Sequence, residues 1–211
     1  MIRQPSSTMI VGPSGSGKTQ LTEALLTEGG GVFEGGRTKP CHYCYAVWQP
    51  RFERMKGRGI RFHEGIPDIS DLQQWFGKSG GGILVLDDLM DEGGNDKRVL
   101  DLFTRESHHR NITVLYLCQD LFPPGKYAKT ISRNAHYLFV FKNPRDQSGF
   151  RALTLQAFPD RWRDVLRLFE TCTQRPYGYI MMDLHPASDD RYRLFSCVTP
   201  SDGPTQVWKR E

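Results

Sequence analysis

The sequence predicts an α/β fold in which helices flank a mostly parallel sheet that antiparallel strands extend near the C-terminus. Short apolar runs alternate with helical stretches, and turns rich in glycine and proline separate them. The strongest signal of a buried strand is residues 83–86, ILVL, which two acids follow. The 211 residues suit one domain. We expect it to span residues 1–200, with 201–211 forming a polar C-terminal tail.

Apolar periodicity and turn residues place the individual elements. Strands are predicted at residues 7–12, 41–48, 59–65, 81–89, 112–119, 136–142, 177–185 and 192–198. Helices are predicted at residues 18–28, 68–76, 96–107, 127–134, 146–158 and 160–170. The first helix is expected to end at the glycines 29–31. The last two strands are expected to form a closing pair.

The composition is that of a soluble, intracellular protein. Hydrophobic residues make up 38% and charged residues 25% of the chain, and no apolar run approaches the roughly 20 residues of a membrane span. We therefore expect no membrane partner. The odd, scattered cysteines indicate a reducing compartment; they are Cys41, Cys44, Cys118, Cys172 and Cys197.

The net charge of +4 permits a nucleic-acid partner without requiring one. The densest basic segment is residues 51–61, RFERMKGRGIR, in which two glycines suggest a flexible loop. Such a loop is able to follow a DNA backbone through phosphate contacts. The alternative is a solvated charged face. The basic residues are Arg51, Arg54, Lys56, Arg58 and Arg61.

Residues 12–19, GPSGSGKT, match the phosphate-binding pattern G-x-x-x-x-G-K-[ST] between a predicted strand and a predicted helix. Backbone N–H groups and the helix N-terminus hold phosphates in such a loop. We expect Lys18 to contact the β- and γ-phosphates and the Thr19 hydroxyl to bind Mg²⁺. The alternative is a structural glycine turn. The expected nucleotide-binding residues are Gly12, Pro13, Ser14, Gly15, Ser16, Gly17, Lys18, Thr19 and Gln20.

Asp87 and Asp88 end the strongest strand, at the edge where ligands bind in open α/β sheets. We expect Asp87 to hold Mg²⁺ through water and Asp88 to polarise an attacking water. The alternative for Asp88 is a solvated turn residue. Gln119 ends the next strand, which a right-handed crossover places beside the acidic one. Its amide would then sense the γ-phosphate, whereas the alternative is a surface glutamine.

Four segments in this order, GPSGSGKT, LVLDDL, RESHHRNITVLYLCQ and ISRNAHYLFVFKNPRD, resemble the genome-packaging ATPases of the FtsK/HerA superfamily. The similarity covers about Met9 to Leu194 and is greatest to the forms of poxviruses and of Polinton (Maverick) and adintovirus-like elements. The resemblance implies a P-loop NTPase of the RecA-like (ASCE) type that uses ATP and Mg²⁺ to move double-stranded DNA. It also implies a homo-oligomeric ring, pentamer or hexamer, capsid protein partners, and a place in the host nucleus or virion.

Ring ATPases use an arginine of a neighbouring subunit to neutralise charge on the transferred phosphoryl group. Arg133 fits the family pattern best, and Arg110 and Arg105 are the other candidates. The family has arginine-histidine where this chain has His108 and His109. The alternative for any one of these arginines is a solvated residue at a helix end.

Other interpretations fit parts of the sequence. Cys41 and Cys44 have the spacing of a zinc pair, but no second pair stands at a suitable distance, so strand packing is favoured. A nucleoside or nucleotide kinase also contains a P-loop in a chain of this length. A nucleotide-dependent regulatory module with little turnover is the third possibility.

Overall fold

A computed structural model describes residues 1–28, 31–36, 39–89 and 94–210. Its strands are β1 (Ser7–Val11), β2 (Cys41–Tyr45), β3 (Ile60–Glu64), β4 (Gly82–Asp87), β5 (Ile112–Cys118), β6 (Tyr137–Phe141), β7 (Tyr179–Asp183), β8 (Tyr192–Ser196) and β9 (Gln206–Lys209). Its helices are α1 (Lys18–Thr27), α2 (Arg51–Lys56), α3 (Ile69–Phe76), α4 (97–109), α5 (Ala128–Arg133), α6 (Gln147–Ala157) and α7 (Trp162–Cys172). Helix α4 contains a π-helical turn, Leu102–Glu106.

The strands form one sheet in the order β3-β2-β4-β5-β1-β6-β7-β8-β9. The first six strands of this order are parallel, and β7, β8 and β9 add to β6 in antiparallel fashion. This arrangement confirms the predicted fold class. Strand β5 lies between β1 and β4, so the strand before the glycine loop does not pair with the acidic strand.

The register of the parallel strands brings their carboxyl ends level. Leu117 of β5 pairs with Ile10 of β1 on one side and with Asp87 of β4 on the other. Tyr45 of β2 also pairs with Asp87. The residues that follow β1, β4 and β5 therefore meet at one edge of the sheet, as parallel strands require.

Apolar layers cover both faces of the sheet. Along β4, Ile83 and Val85 belong to one hydrophobic cluster and Leu84 and Leu86 to the other, and all four are fully buried. A strand that is buried on both faces has no place for alternating polar residues. This explains why the run ILVL gives the strongest strand signal in the sequence.

Local signals explain where the short helices begin. Asp68 forms a capping box with Asp71 at the start of α3, and Leu72 and Phe76 are buried below it. Helix α2 was not predicted, because residues 51–61 were interpreted as a flexible loop. That prediction was wrong for the first half of the segment, since Phe52 and Met55 lie one turn apart and are both buried.

The chain ends differ from the prediction in detail. Gly29 and Gly30, where the first helix was expected to end, lie outside the described residues. Residues 206–209 of the predicted polar tail form β9, which pairs with β8, while the domain boundary at residue 200 stays a prediction. Among the described residues, no helix has the length and apolar character needed to cross a membrane.

Candidate functional site

The glycine loop joins β1 to α1 in a conformation that its glycines make possible. Gly15 and Gly17 have φ values of 77° and 106°, which strongly favour glycine. A Cβ on Gly12 would lie 2.7 Å from both the Phe141 Cβ and the Ser16 Oγ. The backbone N–H of Gly12 donates to the Cys118 carbonyl of β5 at 3.1 Å. The loop is thus tied to the strand that ends in Gln119.

Lys18 begins α1, and its Nζ donates to the carbonyl oxygens of Gly12 and Pro13. Burial lowers the pKa of Lys18, against the effect of Cys118, Asp87, Asp88 and Asp120. The Ser16 hydroxyl is buried and has no hydrogen-bond partner among the described residues. A cation, an unpaired hydroxyl and a helix N-terminus in one loop are groups that bind phosphate oxygens.

Asp87 is buried at the end of β4 with only 4% of its surface exposed. Its Oδ2 accepts a hydrogen bond from the Tyr43 hydroxyl at 2.6 Å and a long one from the Thr19 hydroxyl at 3.5 Å. Burial raises the pKa of Asp87, whereas the Tyr43 hydrogen bond and the charge of Lys18 lower it. A carboxylate beside a threonine hydroxyl is a donor set that suits Mg²⁺.

Asp88 and Gln119 lie together at the same edge. The Gln119 Nε2 donates to the Asp88 Oδ1 at 3.3 Å, and both side chains are exposed. Asp88 has a φ of 55°, a left-handed conformation that is uncommon for a residue with a side chain. Such conformations cluster at functional sites. The pairing brings together two residues that the sequence predicted to act on the terminal phosphate.

A cavity of about 410 Å³ contains most of the predicted site. Its lining combines the glycine loop, the acidic pair and side chains from two neighbouring loops, namely Ser14, Gly15, Gly17, Lys18, Thr19, Gln20, Gln49, Arg51, Asp87, Asp88 and Tyr177. Gln119 and Gly12 line an adjacent cavity of about 540 Å³. The smaller cavity contains the lysine, the threonine and both carboxylates.

Tyr43 was missed in the sequence, where β2 was interpreted only as a packed strand. It is completely buried, and its hydroxyl meets a carboxylate that lies 44 positions later in the chain. Burial, followed by the charge of Asp87, raises the pKa of Tyr43 well above its usual range. A tyrosine in a buried strand usually needs a partner for its hydroxyl, and that was the available signal.

We predict that Tyr43→Phe destabilises the protein by about 1–3 kcal/mol near pH 7, because a buried carboxylate loses its hydrogen bond. Asp87 has a raised pKa in the folded state, so its contribution to stability falls as pH rises through that pKa. Removing the hydroxyl raises the pKa further. The difference in free energy of unfolding between Tyr43→Phe and wild type should therefore be smaller near pH 4 than near pH 7. Urea denaturation at these two pH values would measure it.

Tyr116→Phe is the matched control for this experiment. Tyr116 is also a buried tyrosine, on β5, but its hydroxyl has no hydrogen-bond partner among the described residues. Its replacement should cost little at either pH. Equal destabilisation by both substitutions, or a loss for Tyr43→Phe that does not depend on pH, would contradict the assignment.

The candidate arginines do not line the cavity with Lys18. Arg110 donates to Glu106 at 2.6 Å, and Arg105 pairs with the same carboxylate at 3.1 Å. The hydrogen bond from Arg110 lowers the pKa of Glu106, and burial opposes this effect. Arg133 is exposed at the end of α5. The structure therefore does not bring any of the three to the phosphate loop of its own chain.

The basic segment is less uniformly positive in the structure than in the sequence. Arg51 and Arg54 lie 3.8 and 3.7 Å from the Glu23 carboxylate of α1, and Lys56 pairs with Glu53. Arg51 also lines the cavity that holds Lys18. Part of the segment therefore neighbours the candidate site.

Cys41 and Cys44 face opposite sides of the sheet. They lie three positions apart on β2, and each is buried in a different hydrophobic cluster. Within the described residues, no group of three or more histidine, cysteine or acidic side chains is arranged to hold a metal ion. Two thiols on opposite faces are unable to share one ion.

Comparison with known proteins identifies the fold. No family model and no curated sequence matches the chain. It is similar to the genome packaging NTPase B204 from Sulfolobus turreted icosahedral virus 2 in complex with ATP-gammaS, with a TM-score of 0.58, 11% identity and 98% of each chain covered.

The AMPPCP complex of that NTPase has a TM-score of 0.56, 11% identity and 98% coverage of both chains. B204, the DNA-packaging ATPase from Sulfolobus Turreted Icosahedral Virus, has a TM-score of 0.55 at 12% identity, and 98% of each chain is covered. At such low identity the likeness establishes a shared fold. These neighbours are named as packaging NTPases or ATPases, the class of protein that the four sequence segments resemble.

Proposed function

We propose that this chain is an ATP-hydrolysing motor that moves double-stranded DNA and packages a viral or virus-like genome into a capsid. The observation that carries the proposal is the contact between Asp88 and Gln119 beside the phosphate loop. It depends on β5 lying between β1 and β4. A loop that only binds phosphate has no need of a carboxylate and an amide there.

Each side chain has a role in hydrolysis. The loop amides and Lys18 bind and orient the phosphates, and Thr19 and Asp87 would hold Mg²⁺, which supplies positive charge beside the β- and γ-phosphates. Asp88 accepts a proton from the attacking water as that water approaches the γ-phosphate. Gln119, bound to Asp88, responds to the presence of that phosphate.

The proposal that DNA is the cargo has two supports. Solved structures of similar fold include a genome packaging NTPase and a DNA-packaging ATPase. The chain also has a net positive charge of +4, which favours contact with a phosphate backbone. A ring of identical subunits, pentamer or hexamer, would place one site at each interface, and capsid proteins would dock the ring.

Phosphate release with and without duplex DNA tests the function. We expect wild-type protein to hydrolyse ATP faster when duplex DNA is present, and Lys18→Ala and Asp88→Ala to lower the rate by about a hundredfold or more. Added nucleoside is the comparison, because a kinase would respond to it and a motor would not. Formation of ADP that added nucleoside stimulates, without release of inorganic phosphate, would identify a small-molecule kinase, because a kinase transfers the phosphoryl group to the nucleoside.

The remaining outcomes are also decisive. Binding of ATP without Mg²⁺-dependent phosphate release would indicate a regulatory module. Hydrolysis that DNA leaves unchanged, in a protein that stays monomeric with ATP bound, would reject the motor.

A further inference from the structure

Tyr177 has a backbone conformation that its own packing does not explain. It lies in residues 173–178, which connect α7 to β7, and its φ is 60°. A left-handed tyrosine is a genuine outlier and costs conformational energy. Its side chain gains little from burial in return, because 62% of the residue is exposed. The conformation of Tyr177 therefore indicates a functional role and not a role in packing.

The connecting segment is held in place by its neighbours. The Gly178 N–H donates to the Arg175 carbonyl at 3.1 Å, and the Arg175 guanidinium donates to Asp202 at 3.1 Å. The hydroxyl of Tyr179 donates to the other oxygen of Asp202. These contacts fix the backbone on either side of Tyr177.

The Tyr177 side chain lies against the phosphate loop. A Cβ built on Gly17 would be 3.2 Å from its Cδ1 and 3.4 Å from its Cβ. Tyr177 lines the cavity that contains Lys18 and Asp87, and it also lines a second cavity of about 540 Å³. The side chain is thus a wall shared by the phosphate cavity and its neighbour.

The second cavity differs from the first in its chemistry. It is lined by Gly15 and Ser16 of the phosphate loop, by Phe141, Lys142 and Pro144, and by residues 173–178. Among the described residues its lining includes no carboxylate, and the charged side chains are the cations Lys142 and Arg175. Such a lining does not hold Mg²⁺, which prefers oxygen ligands. It suits an aromatic group attached to a phosphate chain.

We propose that the nucleoside of the bound nucleotide occupies this second cavity, with its base stacked on the Tyr177 ring. The inference rests on the proposed function, and it makes Tyr177 a nucleoside-binding residue that takes no part in the chemistry. Stacking accepts any base, because every base has a π-face. Tyr177 therefore contributes affinity for nucleotides and little selection among bases.

Two substitutions separate the ring from the backbone. Asparagine tolerates positive φ, so Tyr177→Asn removes the ring and keeps the loop conformation. Tyr177→Phe keeps the ring. Tyr192→Asn is the matched control, because Tyr192 is a partly exposed tyrosine on β8 that lines neither of these cavities.

The readout is the dissociation constant for MgATP compared with that for Mg²⁺ tripolyphosphate, which has phosphates but no nucleoside. Tyr177→Asn should weaken MgATP binding about tenfold and leave tripolyphosphate binding within about twofold of wild type. Tyr177→Phe and Tyr192→Asn should match wild type with both probes.

Other results overturn the inference. Equal weakening of both probes by Tyr177→Asn would show that the residue only supports the loop, and unchanged MgATP affinity would place the base elsewhere. A wild-type protein that binds neither probe would reject the proposed function itself. A third combination of results would reject the base site alone. In that case Lys18→Ala abolishes tripolyphosphate binding, which agrees with the proposed function, but Tyr177→Asn binds MgATP with wild-type affinity.

Discussion

Replacing Asp88 with asparagine is expected to lower the rate of ATP hydrolysis by about a hundredfold to ten-thousandfold while leaving ATP affinity nearly unchanged. The amide is unable to take a proton from the attacking water. Asparagine has almost the same size and tolerates the φ of 55° at this position. It also keeps an oxygen that accepts the Gln119 hydrogen bond. Single-turnover hydrolysis and equilibrium nucleotide binding measure the two effects separately.

Asp164→Asn is the control, since Asp164 is an exposed carboxylate on α7 with 73% of its side chain accessible. It should behave as wild type in both assays. Hydrolysis at the wild-type rate in Asp88→Asn would mean that Asp88 is only a solvated turn residue. Parallel loss of binding and hydrolysis would mean that the substitution damages the site as a whole.

Replacing Arg133 with alanine is expected to lower the hydrolysis rate of the assembled protein about a thousandfold or more, again with ATP affinity retained. Arg110→Ala should have a smaller effect, because Arg110 already pairs with Glu106 at 2.6 Å. Neither arginine lines the cavity that holds Lys18. If either of these two arginines acts on the phosphate, it must therefore do so from a neighbouring subunit.

Mixing two inactive variants tests this directly. Arg133→Ala subunits keep Asp88, and Asp88→Asn subunits keep Arg133, so some interfaces in a mixed ring contain both intact groups. Random equal mixing should restore about a quarter of wild-type activity. Arg145→Ala, at another exposed arginine, should remain fully active. If Arg133→Ala is inactive by itself and mixing restores no activity, Arg133 does not act across the interface between subunits.

The structure explains why some site residues were predictable and others were not. The glycine loop is a continuous motif whose spacing encodes its own geometry, and Asp87 follows an apolar strand that is recognisable at once. Tyr43 belongs to no recognisable sequence motif. Its partner lies 44 positions away, and their meeting depends on β2 pairing with β4, which the chain order does not reveal.

For the basic segment, residues 51–61, the prediction from the sequence was wrong in part. Its charges suggested a free loop, but Phe52 and Met55 anchor the first half as a helix and Glu23 lies beside two of its arginines. Charge density along a sequence does not tell which countercharges the fold brings near. Arg110 likewise forms an ion pair, with Glu106 four positions earlier in the chain.

The sequence by itself determined the fold class, the phosphate loop and the order of the acidic and amide residues, because periodicity and motif spacing are local properties of the chain. Tertiary structure alone decided which strands are neighbours, that Gln119 reaches Asp88, that Tyr43 satisfies Asp87, and that Tyr177 lies against Gly17. Such contacts join residues distant in sequence. They arise from the pairing and register of strands, which the packing of the whole sheet sets.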